Sequence, residues 1–302
     1  MQTATIRSGV EAEVGRTNEA ALALRTHWPE YLIELAALAT FMISACIFGV
    51  LLEHPLSPFN QAIESADLRR AIFGAAMGLT SIGIFCSPWG QRSGAHMNPA
   101  VTLSFLSLGK IKVWDAVYYV IAQFAGGILG VGLSSLLLGA PVRHSAVNYV
   151  VTIPGASGAP SAFAAEFLIS FLMMTTVLMA SNSWRFRWLT PFLAGTLVSA
   201  FISFEAPLSG MSMNPARTFG SAIWAHEWTG VWIYFLAPIA GMLTAALAYR
   251  ARWGAHRVFC AKILHGERQH CIFRCKERLL RGPAFQETRL RFLERGRSRP
   301  DG

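Results

Sequence analysis

The chain has 302 residues, of which 53% are hydrophobic and 14% charged, and its mean hydropathy is positive at +0.40. This composition excludes an ordinary soluble domain and favours a membrane protein. The formal net charge of +9 comes from the chain after Tyr249, with 14 Lys or Arg against 5 Asp or Glu, so anionic lipid is expected to bind this basic tail and nucleic acid is not.

Six apolar runs of about 20 residues follow one another, each long enough to cross ~30 Å of hydrocarbon. The first run lies too far inside the chain, and is too long, for a cleaved signal peptide. We therefore predict six retained transmembrane helices. They cover residues 31–52, 71–89, 114–138, 162–181, 189–206 and 231–250.

A ten-residue segment occurs twice, as SGAHMNPAVT at 93–102 and as SGMSMNPART at 209–218, with seven identities. Each copy places Asn before Pro, a pair that favours the start of a helix. The apolar stretches that follow, 99–108 and 215–225, are too short to span a bilayer. We therefore expect two half-helices that enter from opposite sides and meet near the midplane, in an inverted repeat of three spans each.

Positive charge predicts the orientation. The basic tail and the loop with Arg185 and Arg187 are expected on the cytoplasmic side, and six spans then place the N-terminus there as well. We expect a cytoplasmic segment at 1–28, a channel domain at 29–252 with halves near 29–140 and 160–252, and a cytoplasmic tail at 253–302. The expected location is the inner (cell) membrane, as a multi-pass protein.

The doubled Asn-Pro-Ala, with Arg217 after the second copy, resembles the aquaporins of the major intrinsic protein superfamily, over about residues 31–250. The resemblance is to a prokaryotic-type member. It implies an all-α membrane protein with six transmembrane helices and two re-entrant half-helices, one pore per subunit, a homotetramer and no cofactor. The transported solutes that it implies are water and other small neutral molecules, whereas protons and ions are excluded.

The two motifs have a physical reading of their own. Asn98 and Asn214 would lie at the positive ends of two facing helix dipoles, where their amides could donate to a water oxygen and interrupt a chain of water donors. The alternative is that both asparagines only cap helices. The motif residues are Asn98, Pro99, Ala100, Asn214, Pro215 and Ala216.

A cation within apolar sequence is costly, so Arg217 marks either the pathway or an internal partner such as Glu205. The resemblance implies the pathway. It also implies that Glu34 and Glu166 support the backbone of the two loops, and that His96 belongs to the scaffold with a possible sensitivity to protons. The implied carbonyl acceptors of the pore are those of Gly94, Ala95, His96, Gly210, Met211 and Ser212.

By counting back from the asparagines, the resemblance assigns the selectivity filter to Met77, Ile202, Met211 and Arg217. This set matches neither the usual water-selective pattern nor that of glycerol carriers. Thr218 follows Arg217 where glycerol carriers usually place Asp, which favours a water-type channel with altered permeability. The alternative is a facilitator for glycerol, urea, ammonia or hydrogen peroxide that passes little water.

The tail carries Cys260, His265, Cys271 and Cys275 within sixteen residues. Three thiolates and an imidazole could bind a structural zinc ion tetrahedrally, although the spacing fits no standard zinc motif. The alternative is a solvated or lipid-facing basic segment.

Two other classes of protein fit the sequence poorly. An ion channel would need acidic rings along its path, and the spans carry almost no charge. A membrane enzyme would need reactive groups at one depth, whereas Glu34 and Glu166 occupy matching positions in the two halves. We therefore predict a channel and no enzyme.

Overall fold

The computed structural model describes the backbone of residues 2–266 and 271–276, and the side chains of these residues from Asn18 onward. Within this part of the chain the structure is helical and contains no strand. The predicted basic tail beyond residue 276 lies outside the described residues.

The described residues form twelve α-helices, which we number in chain order. The first repeat and its preceding segment contain α1 to α7, and the second repeat contains α8 to α12. The bounds are α1 Gln2–Glu53, α2 Pro58–Ala62, α3 Ala66–Cys86, α4 Pro88–Ser93, α5 Pro99–Ser107, α6 Val113–Leu138, α7 Ala140–Arg143, α8 Gly158–Ser181, α9 Thr190–Phe204, α10 Ala206–Ser209, α11 Pro215–Ala225 and α12 Val231–Trp253.

Six helices of the described chain are long and apolar enough to cross a membrane, which confirms the six predicted spans. They are α1 from Asn18, α3, α6, α8, the run Arg187–Phe204 that includes α9, and α12. Several helix ends differ from the prediction by a few residues or more. Helix α1 reaches back to Gln2, and α3 ends at Cys86 because the Ser87 side chain accepts a hydrogen bond from Gly90 N (2.9 Å) and starts the separate helix α4.

The spanning helices pack as pairs within and between the repeats. Helix α1 packs along α6, α8 along α12, and α3 along α9. Each half-helix packs mainly on a spanning helix of the other repeat: α5 of the first repeat packs on α12, and α11 of the second repeat packs on α6. Gly127 and Gly220 allow the second of these contacts, because a Cβ built on Gly220 would lie 2.9 Å from Gly127 Cα.

Tryptophan side chains form two exposed groups at the ends of the bundle, as expected where a membrane meets water. We call the end at which α12 terminates the tail side and the opposite end the far side. The chain path places Trp28, Trp89, Trp184, Trp188 and Trp253 on the tail side, and Trp224, Trp228 and Trp232 on the far side.

Candidate functional site

Each half-helix begins at the asparagine of its motif. The Oδ1 atom of Asn98 accepts from Ala100 N (2.8 Å), and that of Asn214 accepts from Ala216 N (3.0 Å) and Arg217 N (3.3 Å). These bonds satisfy backbone donors that a helix start leaves open, and the proline that follows needs none. Both asparagines therefore act as helix caps, as the sequence predicts.

The same two side chains also join the half-helices to each other. Asn98 Nδ2 donates to the Met213 carbonyl and Asn214 Nδ2 donates to the Met97 carbonyl, each at 2.7 Å. An asparagine amide carries two N–H groups, so each side chain keeps one for another acceptor. Both asparagines line the central cavity of the bundle, where such an acceptor would pass.

Glu34 holds the first re-entrant loop, residues 94–98, by three short hydrogen bonds. Its carboxylate accepts from His96 N (3.0 Å), Met97 N (2.7 Å) and the Ser93 hydroxyl (2.8 Å). The carboxylate is fully buried, and Gln123 Nε2 donates to it as well (2.9 Å). Glu34 therefore lies where the resemblance implied.

Glu166 repeats this arrangement in the second re-entrant loop, residues 210–214. It accepts from Ser212 N (2.6 Å), Met213 N (2.7 Å) and the Ser209 hydroxyl (2.8 Å). The correspondence extends to two tyrosines, because Tyr119 donates to the Ser93 carbonyl (2.6 Å) and Tyr234 to the Ser209 carbonyl. The two loops are thus supported by matching sets of side chains.

The loops need this support because their backbone is strained in the same way. Four residues that are not glycine have positive φ angles: Ala95 (52°), Met97 (49°), Met211 (47°) and Met213 (54°). Positive φ is unfavourable for residues with a Cβ and persists only where the surroundings enforce it. The buried carboxylates bind the N–H groups of this strained backbone and so keep its shape.

The six predicted carbonyl residues all lie in these two loops. Ala95, His96, Gly210, Met211 and Ser212 line the central cavity. The sixth carbonyl, that of Gly94, accepts a hydrogen bond from Ile263 N of the tail (3.2 Å), which occupies one of its two lone pairs.

The four predicted filter residues also line the cavity. The set comprises Met77, Ile202, Met211 and Arg217. Arg217 is buried, and its Nη1 atom has no hydrogen-bond partner among the described residues. A buried guanidinium that lines a cavity can donate to a solute that enters it.

The alternative of an ion pair between Arg217 and Glu205 is absent from the described part of the chain. No oxygen of Glu205 lies within 4.0 Å of the guanidinium, and neither of its carboxylate oxygens has a hydrogen-bond partner there. Glu205 follows the last residue of α9, outside the spanning segment. Burial raises the pKa of this carboxyl to about 7.

The register between α3 and α9 adds a residue that sequence reasoning missed. A Cβ on Gly74 would lie 2.6 Å from Ser199 O and 3.4 Å from Ile202 Cβ. Phe73 is next to Gly74 and lines the cavity, so it lies near the level of Ile202. Met77 is about one turn nearer the tail side, where its neighbour Gly78 faces Gly195 O (2.5 Å from a built Cβ). Phe73 is therefore the better candidate for the position assigned to Met77.

His96 is enclosed by the scaffold. Its Nδ1 atom lies 3.1 Å from Thr102 Oγ1 and its Nε2 atom 2.7 Å from the Ala261 carbonyl. Its ring stacks between Phe105 (centroids 5.2 Å apart) and Phe273 (5.5 Å). This environment fits the expected scaffold role, and two of the contacts come from the tail.

The four predicted tail ligands come together in one group, which we call the tail cluster. Cys260, His265, Cys271 and Cys275 bring their ligand atoms within 4.8 Å of one another. Cys260 Sγ lies 3.6 Å from Cys271 Sγ, and Cys275 Sγ lies 3.3 Å from His265 Nε2. A disulfide would need sulfur atoms at about 2.05 Å, so Cys260 and Cys271 are not bonded to each other. The cluster has the composition of a metal site.

The sequence profile of the family described as Major intrinsic protein matches residues 24–249. The chain belongs to this family. The match confirms the predicted resemblance to aquaporins and covers both re-entrant loops. All four residues of the tail cluster lie beyond the matched region.

Individual relatives agree with this membership. A probable NIP-type aquaporin of Nicotiana alata is 37% identical over 161 residues, which make up 53% of this chain and 58% of that protein. Aquaporin NIP1-3 of Oryza sativa subsp. japonica is also 37% identical over 161 residues, 53% of this chain and 54% of that protein. The chain spans just over half the length of these relatives.

A solved structure gives the same fold. The aquaglyceroporin from Plasmodium falciparum superposes with a TM-score of 0.61 and covers 74% of this chain and 96% of its own, at 18% identity. At this identity the likeness concerns the fold alone. It confirms the predicted arrangement of six spanning helices with two re-entrant half-helices.

Proposed function

We propose that the protein is a passive transmembrane channel for water and other small neutral solutes, and not an enzyme. The observation that carries the proposal is the contact between Asn98 and Asn214 inside the cavity that Arg217 also lines. Membership of the major intrinsic protein family and relatives named as aquaporins support it.

The geometry suggests how neutral solutes would be favoured. A water oxygen at the loop tips can accept from the remaining amide N–H groups of Asn98 and Asn214, which turns its own hydrogens away from a continuous donor chain. Two converging helix N-termini and the buried positive charge of Arg217 oppose cations. We assign the selectivity filter to Phe73, Ile202, Met211 and Arg217. Met77 lies about one turn nearer the tail side.

The membrane arrangement belongs to the same proposal. Charge places the tail side in the cytoplasm, so both ends of the chain would face the cytoplasm of an inner (cell) membrane. The resemblance implies a homotetramer of prokaryotic type in which each subunit has its own pore. We retain the division into a segment at 1–28, a channel domain at 29–252 and a tail at 253–302.

We also propose that the tail cluster binds a structural zinc ion. Tetrahedral zinc, with bonds of about 2.3 Å to sulfur and about 2.0 Å to nitrogen, separates its ligands by about 3.5–3.8 Å. The two short distances within the cluster, 3.6 Å and 3.3 Å, come close to this spacing. Zinc per chain in the purified protein, measured by elemental analysis, is expected near one and should fall in a Cys271→Ser variant.

Stopped-flow light scattering on liposomes with the purified protein tests the channel. The osmotic gradient should be imposed in turn with an impermeant solute, glycerol and urea. We expect liposomes that contain the protein to shrink severalfold faster than empty liposomes once a chelator has removed bound metal, without an increase in proton leak. A shrinkage rate equal to that of empty liposomes, in every metal state of the protein, would contradict the proposal.

A further inference from the structure

The first pass of the tail, residues 258–266, runs over the first re-entrant loop. Ile263 N donates to the Gly94 carbonyl (3.2 Å), and the Ala261 carbonyl contacts His96 Nε2 (2.7 Å). Gly94 has a φ of 96°, and a Cβ built on it would lie 3.4 Å from Lys262 Cα. The tail therefore lies directly against the backbone that forms one wall of the pore.

Ile263 itself lines the central cavity together with Met97 and Asn98. It is 4% exposed, and the neighbouring Ala261 is fully buried. This places an aliphatic side chain at the tail-side mouth of the pore. It also engages a carbonyl, that of Gly94, which would otherwise be open to a passing solute.

The second pass of the tail, residues 271–276, lies against the same loop. The Phe273 ring would lie 3.0 Å from a Cβ on Gly94 and stacks on His96. Arg274 N donates to the Lys110 carbonyl (3.0 Å), which follows half-helix α5. Ile272 and Phe273 are both buried.

The tail cluster joins the two passes to each other. Cys260 and His265 belong to the first pass, and Cys271 and Cys275 to the second. The backbone adds a bond from Lys276 N to the Phe259 carbonyl (2.6 Å). A metal ion bound by all four ligands would therefore hold Ile263 and Phe273 in place at once.

We propose that the tail is a metal-dependent cap: a zinc ion in the tail cluster holds Ile263 in the tail-side mouth of the pore, and loss of the ion frees the mouth. The proposal rests on the channel function proposed above. The regulating ligand is a soft divalent cation, because three thiolates and one imidazole favour zinc over hard cations such as magnesium or calcium. The conducting state is the metal-free one.

The experiment uses the full chain in liposomes, reconstituted with bound zinc. Shrinkage in an osmotic gradient is measured before and after addition of a membrane-permeant zinc chelator, with zinc content measured in parallel. We expect slow shrinkage with zinc and severalfold faster shrinkage after chelation. Restoring zinc should slow it again.

Single substitutions separate the cap from a general effect of thiols. Cys271→Ser and Cys275→Ser each remove one ligand and should give fast shrinkage whether or not zinc is added. Cys86→Ser is the matched control, because Cys86 lies at the end of α3 and outside the tail cluster. It should respond to zinc and chelator as the unmodified chain does.

A substitution at the mouth tests the contact itself. Ile263→Ala keeps all four metal ligands, so zinc content should stay unchanged while shrinkage in zinc becomes faster. Equal and fast shrinkage of every form, with or without zinc, would overturn the cap and leave the channel function standing. If no form exceeds empty liposomes, even after chelation, the channel function fails and the cap fails with it.

Discussion

Asn98 and Asn214 are bound reciprocally: each donates its side-chain amide to the carbonyl just before the other, at 2.7 Å. The bonds cross the interface between the two repeats, from residue 98 to 213 and from 214 to 97. The two loop tips therefore hold each other at a fixed separation inside the bundle.

Arg217→Val should increase the leak of protons or cations through the channel. The guanidinium is buried beside the pore, where its positive charge opposes the entry of cations. The leak is measured with a pH-sensitive dye inside liposomes under an imposed potential. Arg217→Lys, which keeps the charge, is the control, and an unchanged leak in Arg217→Val would remove the barrier role.

Phe73→Ala should raise the permeability to glycerol severalfold relative to water. Phe73 lies near the level of Ile202, so loss of its ring widens the filter. Met77→Ala is the matched control, one turn nearer the tail side, and should have the smaller effect. A larger effect of Met77→Ala, in stopped-flow measurements with a glycerol gradient, would return the filter position to Met77.

Glu166→Gln should lower the free energy of unfolding by about 3 kcal/mol, since the carboxylate accepts from three donors with two oxygens, whereas a neutral amide has only one acceptor oxygen. The donors at stake are Ser212 N, Met213 N and the Ser209 hydroxyl. Glu34→Gln should destabilise the protein similarly, because its contacts match. Thermal unfolding in detergent measures both, and the prediction fails if either variant melts with the unmodified protein.

Glu205 should make stability depend on pH. Burial raises its folded-state pKa to about 7 from 4.5, so the folded protein binds this proton more tightly than the unfolded chain. Stability is then lost as pH rises from about 4.5 to about 7, by about 3 kcal/mol for this shift. Glu205→Gln removes the loss, so its melting temperature should exceed that of the unmodified protein at pH 8 and equal it near pH 4.

The control for this prediction is Glu64→Gln, because Glu64 is exposed and its charge is solvated in the folded protein. It should leave the pH dependence of unfolding unchanged. A Glu205→Gln variant whose melting temperature follows that of the unmodified protein at every pH would show that this carboxyl is not the source.

Local chemistry explains why much of the fold could be predicted. Span length identified the six membrane helices, and the cap preferences of Asn98 and Asn214 placed both half-helices within a residue of their observed bounds. The family resemblance, rather than any local pattern, pointed to Glu34 and Glu166.

Other features depend on contacts that leave no local pattern. The hydrogen bond from Ile263 N to the Gly94 carbonyl joins residues far apart in the chain, and no sequence pattern near either residue predicts it. The assignment of Met77 depended on counting residues, and the short helix α4 (Pro88–Ser93) lengthens the connection across which the count was made. Phe73 emerged only from the packing of α3 against α9.

The exchange of half-helices has a consequence for biogenesis. Since α5 rests on α12 and α11 rests on α6, neither repeat can complete its own interior. A polypeptide cut between α7 and α8 would give two fragments. Each fragment would be inserted into the membrane without the packing contacts that the other repeat supplies. Coexpression of the pair should be required before either fragment resists proteolysis.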